Sequence, residues 1–106
     1  TARAEALDAE SSAELERRRI VTGIESAQAQ VLAAQGRLMA AEKRARFARE
    51  SQGFFEKSFR LGETDLPTRL RIELEATEAE RQLARARIDV AAAISSLRQS
   101  LGLLPE

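Results

Sequence analysis

The sequence predicts an all-α fold: a long antiparallel two-helix coiled-coil hairpin with arms of unequal length. Three observations predict it. The chain is rich in Ala, Glu, Arg and Leu with only 4% aromatic residues, a composition typical of long helices. Its apolar residues recur in heptads on both sides of one short break. That break, Phe59-Arg60-Leu61-Gly62-Glu63-Thr64-Asp65-Leu66-Pro67, reads as a helix stop followed at once by a helix start.

The first helix is expected over 2–61, a span without proline. One seam is Ile24, Val31, Leu38, Ala45, Gln52, Phe59, and the other is Ala13, Ile20, Ala27, Ala34, Ala41, Ala48, Phe55. Both repeat every seven residues and lie three or four apart, which is an a/d stripe. At about 1.5 Å per residue the helix should be roughly 90 Å long. Gly23, Gly36 and Gly53 interrupt it off the seam, each costing about 1 kcal/mol against Ala. A close neighbouring helix or local flexibility would account for them.

At 62–65 the chain turns. Gly62 can take the left-handed conformation that closes a helix without a Cβ penalty. Thr64 or Asp65 can accept from the free N–H groups of the next helix, and Pro67 fits a first turn that has an N–H to spare. So short a link makes the helices antiparallel.

The second helix is expected over 66–101, with seams Ala76, Leu83, Val90, Leu97, Leu104 and Ile72, Ala79, Ala86, Ala93, Ser100. Gly102 and Pro105 supply its stop signal. Folding the arms about Gly62 pairs residues whose numbers sum to roughly 127 or 128. Phe55 then meets Ile72, Ala48 meets Ala79, Ala45 meets Leu83, Leu38 meets Val90 and Val31 meets Leu97.

The first arm overruns the second by roughly 20 residues, an inference from that register. The seam does not continue there, because its a positions are Arg3, Glu10 and Arg17. The overhang should fray or pair with another molecule. Leu32 and Met39 on the first helix, and Leu70, Ala84, Ala91, Ile94 and Leu101 on the second, lie off the seam and call for further helices alongside. An isolated chain is therefore expected to self-associate. The opening Thr1-Ala2-Arg3 suggests part of a longer protein.

Charge and composition exclude several functions. With 17 Lys+Arg against 17 Asp+Glu in 106 residues, the chain lacks the electrostatic footprint of a nucleic-acid binder. Arg17-Arg18-Arg19 reads as a solvated helix face. No apolar run approaches the roughly 20 residues that span a bilayer. His, Cys and Tyr are all missing. The common general base, nucleophile and soft metal ligand go with them, so no catalytic residue, cofactor or metal site is expected. Glu75 with Glu78, and Glu73 with Glu80, read as solvated carboxylates balanced by Arg71, Arg81 and Arg85.

Phe59-Arg60-Leu61-Gly62-Glu63, the Leu66/Leu70 spacing, the Ala/Glu-rich second helix and the closing Leu97-Arg98-Gln99-Ser100-Leu101-Gly102 resemble the TolC family of outer-membrane efflux factors. The chain is similar to the second helical hairpin of that family, most closely over 45–104. The resemblance implies a homotrimeric channel, with this segment in the periplasm of a Gram-negative bacterium below a β-barrel in the outer membrane. Its tip would dock on a periplasmic adaptor, a membrane fusion protein that links it to an inner-membrane pump.

Carried over by position, the docking residues are Arg60, Leu61, Gly62, Glu63 and Thr64. The tunnel entrance, where the family can place acidic residues, has Thr68 and Arg71 here. The Leu-Gly-Glu-Thr-Asp-Leu-Pro wording looks most like the heavy-metal branch, which handles cobalt, zinc and cadmium. Any metal would be conducted and not held, since the segment has no His or Cys. The alternatives are the coiled-coil hairpin of an adaptor, or a structural spacer or dimeriser. An adaptor hairpin would have arms of similar length flanked by β segments, and this sequence has unequal arms and no strand signal.

Overall fold

The computed structural model describes residues 1–104. It consists of α1, Ala2–Arg60, and α2, Leu66–Gly102, with no strand among the described residues. The two helices lie side by side over the length of α2 in a molecule of 89 × 22 × 13 Å. The long dimension is set by the 59 residues of α1, which at about 1.5 Å each reach that length unaided. The short dimension is close to one helix diameter.

The core is one stripe deep. Ile24, Ala27, Ala34 and Ala45 of α1 are buried against Ile72, Ala76, Ala79, Leu83 and Ala86 of α2. Every one of these stands on a heptad seam. Val31, Leu38, Ala41, Ala48, Phe55, Val90 and Leu97 on the same seams are half-buried, because a two-helix pair leaves each stripe open at its edges. Leu83 is the one large side chain among the described residues that is almost fully enclosed, at 2% exposure, and Ala45, which the heptad register sets opposite it, is at 0%. That register sets large over small at this layer, a match that lets two helices close on each other.

Polar pairs across the helices keep the same register. Arg49 Nε donates to Glu80 at 2.6 Å, Arg44 donates to Gln82, and Arg69 donates to Glu56 at 3.1 Å. These pairs fall on both sides of the expected fold-back sum. Register is therefore held by seam and flanks together.

The ends differ from the sequence reading in detail. Helix α1 stops at Arg60, one residue early, because Leu61 is its C-cap. Helix α2 runs through Gly102, which is helical and does not close it. Leu103 caps it in right-handed geometry, its N–H reaching the carbonyls of Ser100 and Leu101. Pro105 lies outside the described residues. Two seam positions are exposed: Ala13, which lies beyond the reach of α2, and Leu104, which lies past the end of α2. At Gly23, Gly36 and Gly53 an added Cβ would meet nothing within 4 Å, so no neighbour in this chain requires them.

The overhang is real. No residue from 1 to 23 is buried, and Leu7, Leu15 and Val21 are 57%, 53% and 41% exposed. Thr1 caps the N-terminal turn by accepting from the Ala4 N–H at 3.2 Å.

Candidate functional site

Only the tip brings the sequence-predicted residues together. Gly62 has φ of +75°, the single left-handed residue among those described. Its N–H donates to the Phe59 carbonyl at 3.0 Å, and the Glu63 N–H donates to the Ser58 carbonyl at 2.9 Å. This pair of bonds is the Schellman closure, which satisfies carbonyls left open by the end of α1. The hydrophobic contact that often accompanies it would fall here to Glu63 and Ser58, which are polar. Geometry at the turn thus rests on backbone bonds and on glycine.

The other strand of the turn is held by Asp65, which caps α2 by accepting from the Thr68 N–H at 3.0 Å. Of the two candidates for that role, Asp65 performs it and Thr64 does not. Contacts to the Thr68 side chain, and then to its backbone N–H, hold the Asp65 carboxyl below its usual range. Pro67 occupies the first turn, where its missing N–H costs nothing.

Between these two closures the tip is open to solvent. Arg60, Leu61, Gly62 and Glu63 are exposed and Thr64 is half-buried. Leu61 at 67% and Leu66 at 53% put apolar surface on either side of a nearly bare glycine. The arrangement presents backbone and two leucines to whatever approaches along the hairpin axis.

The two tunnel-entrance candidates separate. Thr68 is half-buried and engaged in the cap, whereas Arg71 is exposed and pairs with Glu75 at 3.5 Å. Glu75 and Glu78 are each matched by an arginine of the same helix, as are Glu73 and Asp89. Glu80 is matched across the pair by Arg49.

A clamp below the tip escaped the sequence reading. The Arg69 guanidinium lies 4.5 Å from the Phe59 ring centroid and bonds both Glu56, at 3.1 Å, and Glu73, at 3.2 Å. Arg60 lies 3.6 Å from the same Glu56 oxygen. Extending the α2 seam one heptad back from Ala76 reaches Arg69 and would have placed it opposite Phe59. A second omission is the row Phe47 and Phe54 on α1 and Leu61 at its C-cap, seven residues apart and 67–71% exposed. Its spacing was a readable signal.

The overhang carries its own ion pairs, Glu14 with Arg17 at 3.4 Å and with Arg18 at 3.2 Å. These arginines, Arg17 first, hold the Glu14 carboxyl below its usual value. No family model matches the chain, and no curated protein or solved structure matches it.

Proposed function

We propose that this hairpin is the periplasmic tunnel segment of a trimeric TolC-type outer-membrane efflux channel, and that its tip docks on a periplasmic adaptor. The observation that carries the reading is the tip itself. A glycine in left-handed geometry, closed by backbone bonds and flanked by the exposed Leu61 and Leu66, joins arms of unequal length. A turn with so little side-chain bulk lets another helix end approach the backbone closely. Arg60, Glu63 and Thr64 then supply polar partners around that contact.

The finer reading, a channel of a heavy-metal efflux system, rests on the wording of the turn. In it the cations pass through the tunnel, and this segment acts as wall and docking point. Apolar residues off the seam, Leu32, Met39, Phe47 and Phe54, would face neighbouring helices of the trimer.

Binding between the chain and candidate adaptor hairpins tests the proposal. Gly62→Trp fills the site of approach and Glu63→Arg reverses its charge. Selective binding by the wild type, lost in both variants while circular dichroism stays helical, is the expected result. Equal binding by all three chains would remove the tip from the interface and leave the hairpin a spacer.

A further inference from the structure

A second stripe runs along α1 beside the seam, within the stretch that α2 accompanies. Phe47, Ser51, Phe54, Ser58 and Leu61 are spaced three or four apart, so they share one helical face on which large alternates with small. The two phenylalanines and Leu61 are 67–71% exposed, while Ser51 and Ser58 are half-buried. Phe54 stands edge-on to Phe55 with ring centroids 5.3 Å apart, which ties the central ring of the stripe to the seam. In the heptad, Glu50 and Lys57 border the stripe on the side away from α2, and both are exposed. Neither has an ion pair among the described residues.

We infer that this stripe is an interface between two copies of the chain, lying antiparallel along α1 about a two-fold axis near the level of Gly53. In that register Phe47 packs over Ser58 of the second copy and Phe54 over Ser51 of the second copy, and the symmetry repeats both layers. Every phenylalanine thus meets a small side chain. The same register brings Glu50 beside Lys57 of the second copy, again twice, and so gives a partner to two charges that lack one.

Other arrangements lose these matches. Slid by one heptad in one direction, the antiparallel pair sets Glu50 beside Glu50; slid in the other, it sets Lys57 beside Lys57. A parallel two-fold pair places identical residues at one level, phenylalanine against phenylalanine and serine against serine. Like-charge contacts and badly filled layers both count against association. Side-chain size and charge order therefore select one register independently.

The interface goes beyond the docking proposal and does not rest on it. Three copies around a channel axis would run parallel, so this pairing belongs to chains outside such an assembly. Leu61, at the edge of the stripe, is common to both surfaces; Glu50, Phe54 and Lys57 are not.

Sedimentation equilibrium tests the inference on the wild type, Glu50→Lys, Lys57→Glu, Glu50→Lys/Lys57→Glu and Phe54→Ala. Chain concentrations reach about 1 mM, the weak end of specific association. Wild type is expected to reach two copies and stop there, because an isologous contact closes on itself. Each single reversal sets like charges together twice and should weaken pairing at least about tenfold. The double reversal restores both ion pairs and should recover wild-type pairing, as should an equimolar mixture of the two single variants. Phe54→Ala empties two layers and should also weaken pairing at least about tenfold.

A wild type that stays monomeric would overturn the inference and leave the stripe to a helix of another protein. So would growth beyond two copies, or single reversals or Phe54→Ala that pair as tightly as wild type. A double reversal that stays dissociated while circular dichroism shows it helical would overturn it as well.

Discussion

Arg69 stacks its guanidinium 4.5 Å from the ring centroid of Phe59, across the last layer of the hairpin before the turn. The two residues are seam partners. Where the heptad pattern asks for an apolar side chain on α2, an arginine covers the ring with its planar group and extends its N–H groups to Glu56 and Glu73. The seam therefore ends in a contact that is apolar beneath and charged above, as a solvent-facing tip requires.

Replacing Arg69 should loosen the tip more than any other arginine substitution. Arg69→Ala removes a cation–π contact, worth about 0.5–1 kcal/mol at such sites, and two ion pairs worth about 0.2–1 kcal/mol each. Denaturant unfolding is expected to show a loss of about 1–2 kcal/mol. Arg69→Lys should recover only part of it, because an ammonium cannot stack and bond both carboxylates at once. An Arg69→Ala chain as stable as the wild type would show the clamp to be ornamental.

The glycines should divide by sign. Gly62 has φ of +75° and no atom within 4 Å of an added Cβ. Gly62→Ala therefore pays for backbone conformation alone, at about 1–2 kcal/mol, and Gly62→Asn should cost less. Gly36 and Gly53 are helical with the same open surroundings, so alanine there should stabilise by about 0.5–1 kcal/mol. Thermal midpoints moving in opposite directions would bear this out. A stabilising Gly62→Ala would contradict the left-handed turn.

The parts of the fold that repeat were legible in the sequence. Ile24, Ala27, Ala34, Ala45, Ile72, Ala76, Ala79, Leu83 and Ala86 were all assigned to seams from spacing alone, and all are buried. Five heptads of agreement outweigh any single residue, so both the hairpin and its fold-back register could be read. Gly62 and Asp65 were legible for a different reason, since turn chemistry is local. Arg69 was not, because a charged residue at a seam position looks like the end of the seam until its partner ring is known. The boundaries at Arg60 and Gly102 shifted because capping is settled by one or two hydrogen bonds, which composition does not encode. The proposed docking at the tip involves a second molecule, and no packing pattern within this chain bears on it.

Acid should weaken the turn through Asp65. Its carboxyl is held below the ordinary 3.8 by Thr68, so the folded form binds protons less readily than the unfolded one. That contribution is fully present above the unfolded value and is lost as pH falls through the lower folded value. Asp65→Ala should accordingly lower the thermal midpoint near neutral pH and make little difference in strong acid. Asp65→Asn, which still accepts from the Thr68 N–H, should remove the pH dependence and keep most of the cap. A constant gap between wild type and Asp65→Ala at all pH values would assign the effect to something other than the carboxylate.

The layer of Leu83 over Ala45 offers the sharpest check on register. Leu83 is 2% exposed in a molecule only 13 Å thick. Leu83→Ala should cost about 2–3 kcal/mol, toward the low end of the usual 2–5 kcal/mol because a thin pair can partly collapse. Ala45→Leu alone overfills the layer and should cost about 1–3 kcal/mol. If the two residues face each other, the double variant Leu83→Ala/Ala45→Leu restores the summed volume and should be more stable than the two costs together allow. Residues in contact commonly couple by about 0.5–3 kcal/mol, whereas distant ones add within about 0.3–0.5 kcal/mol. A double-mutant cycle in urea thus distinguishes them. Coupling of at least about 0.5 kcal/mol places Ala45 opposite Leu83, and strict additivity would mean that the arms slide past this register.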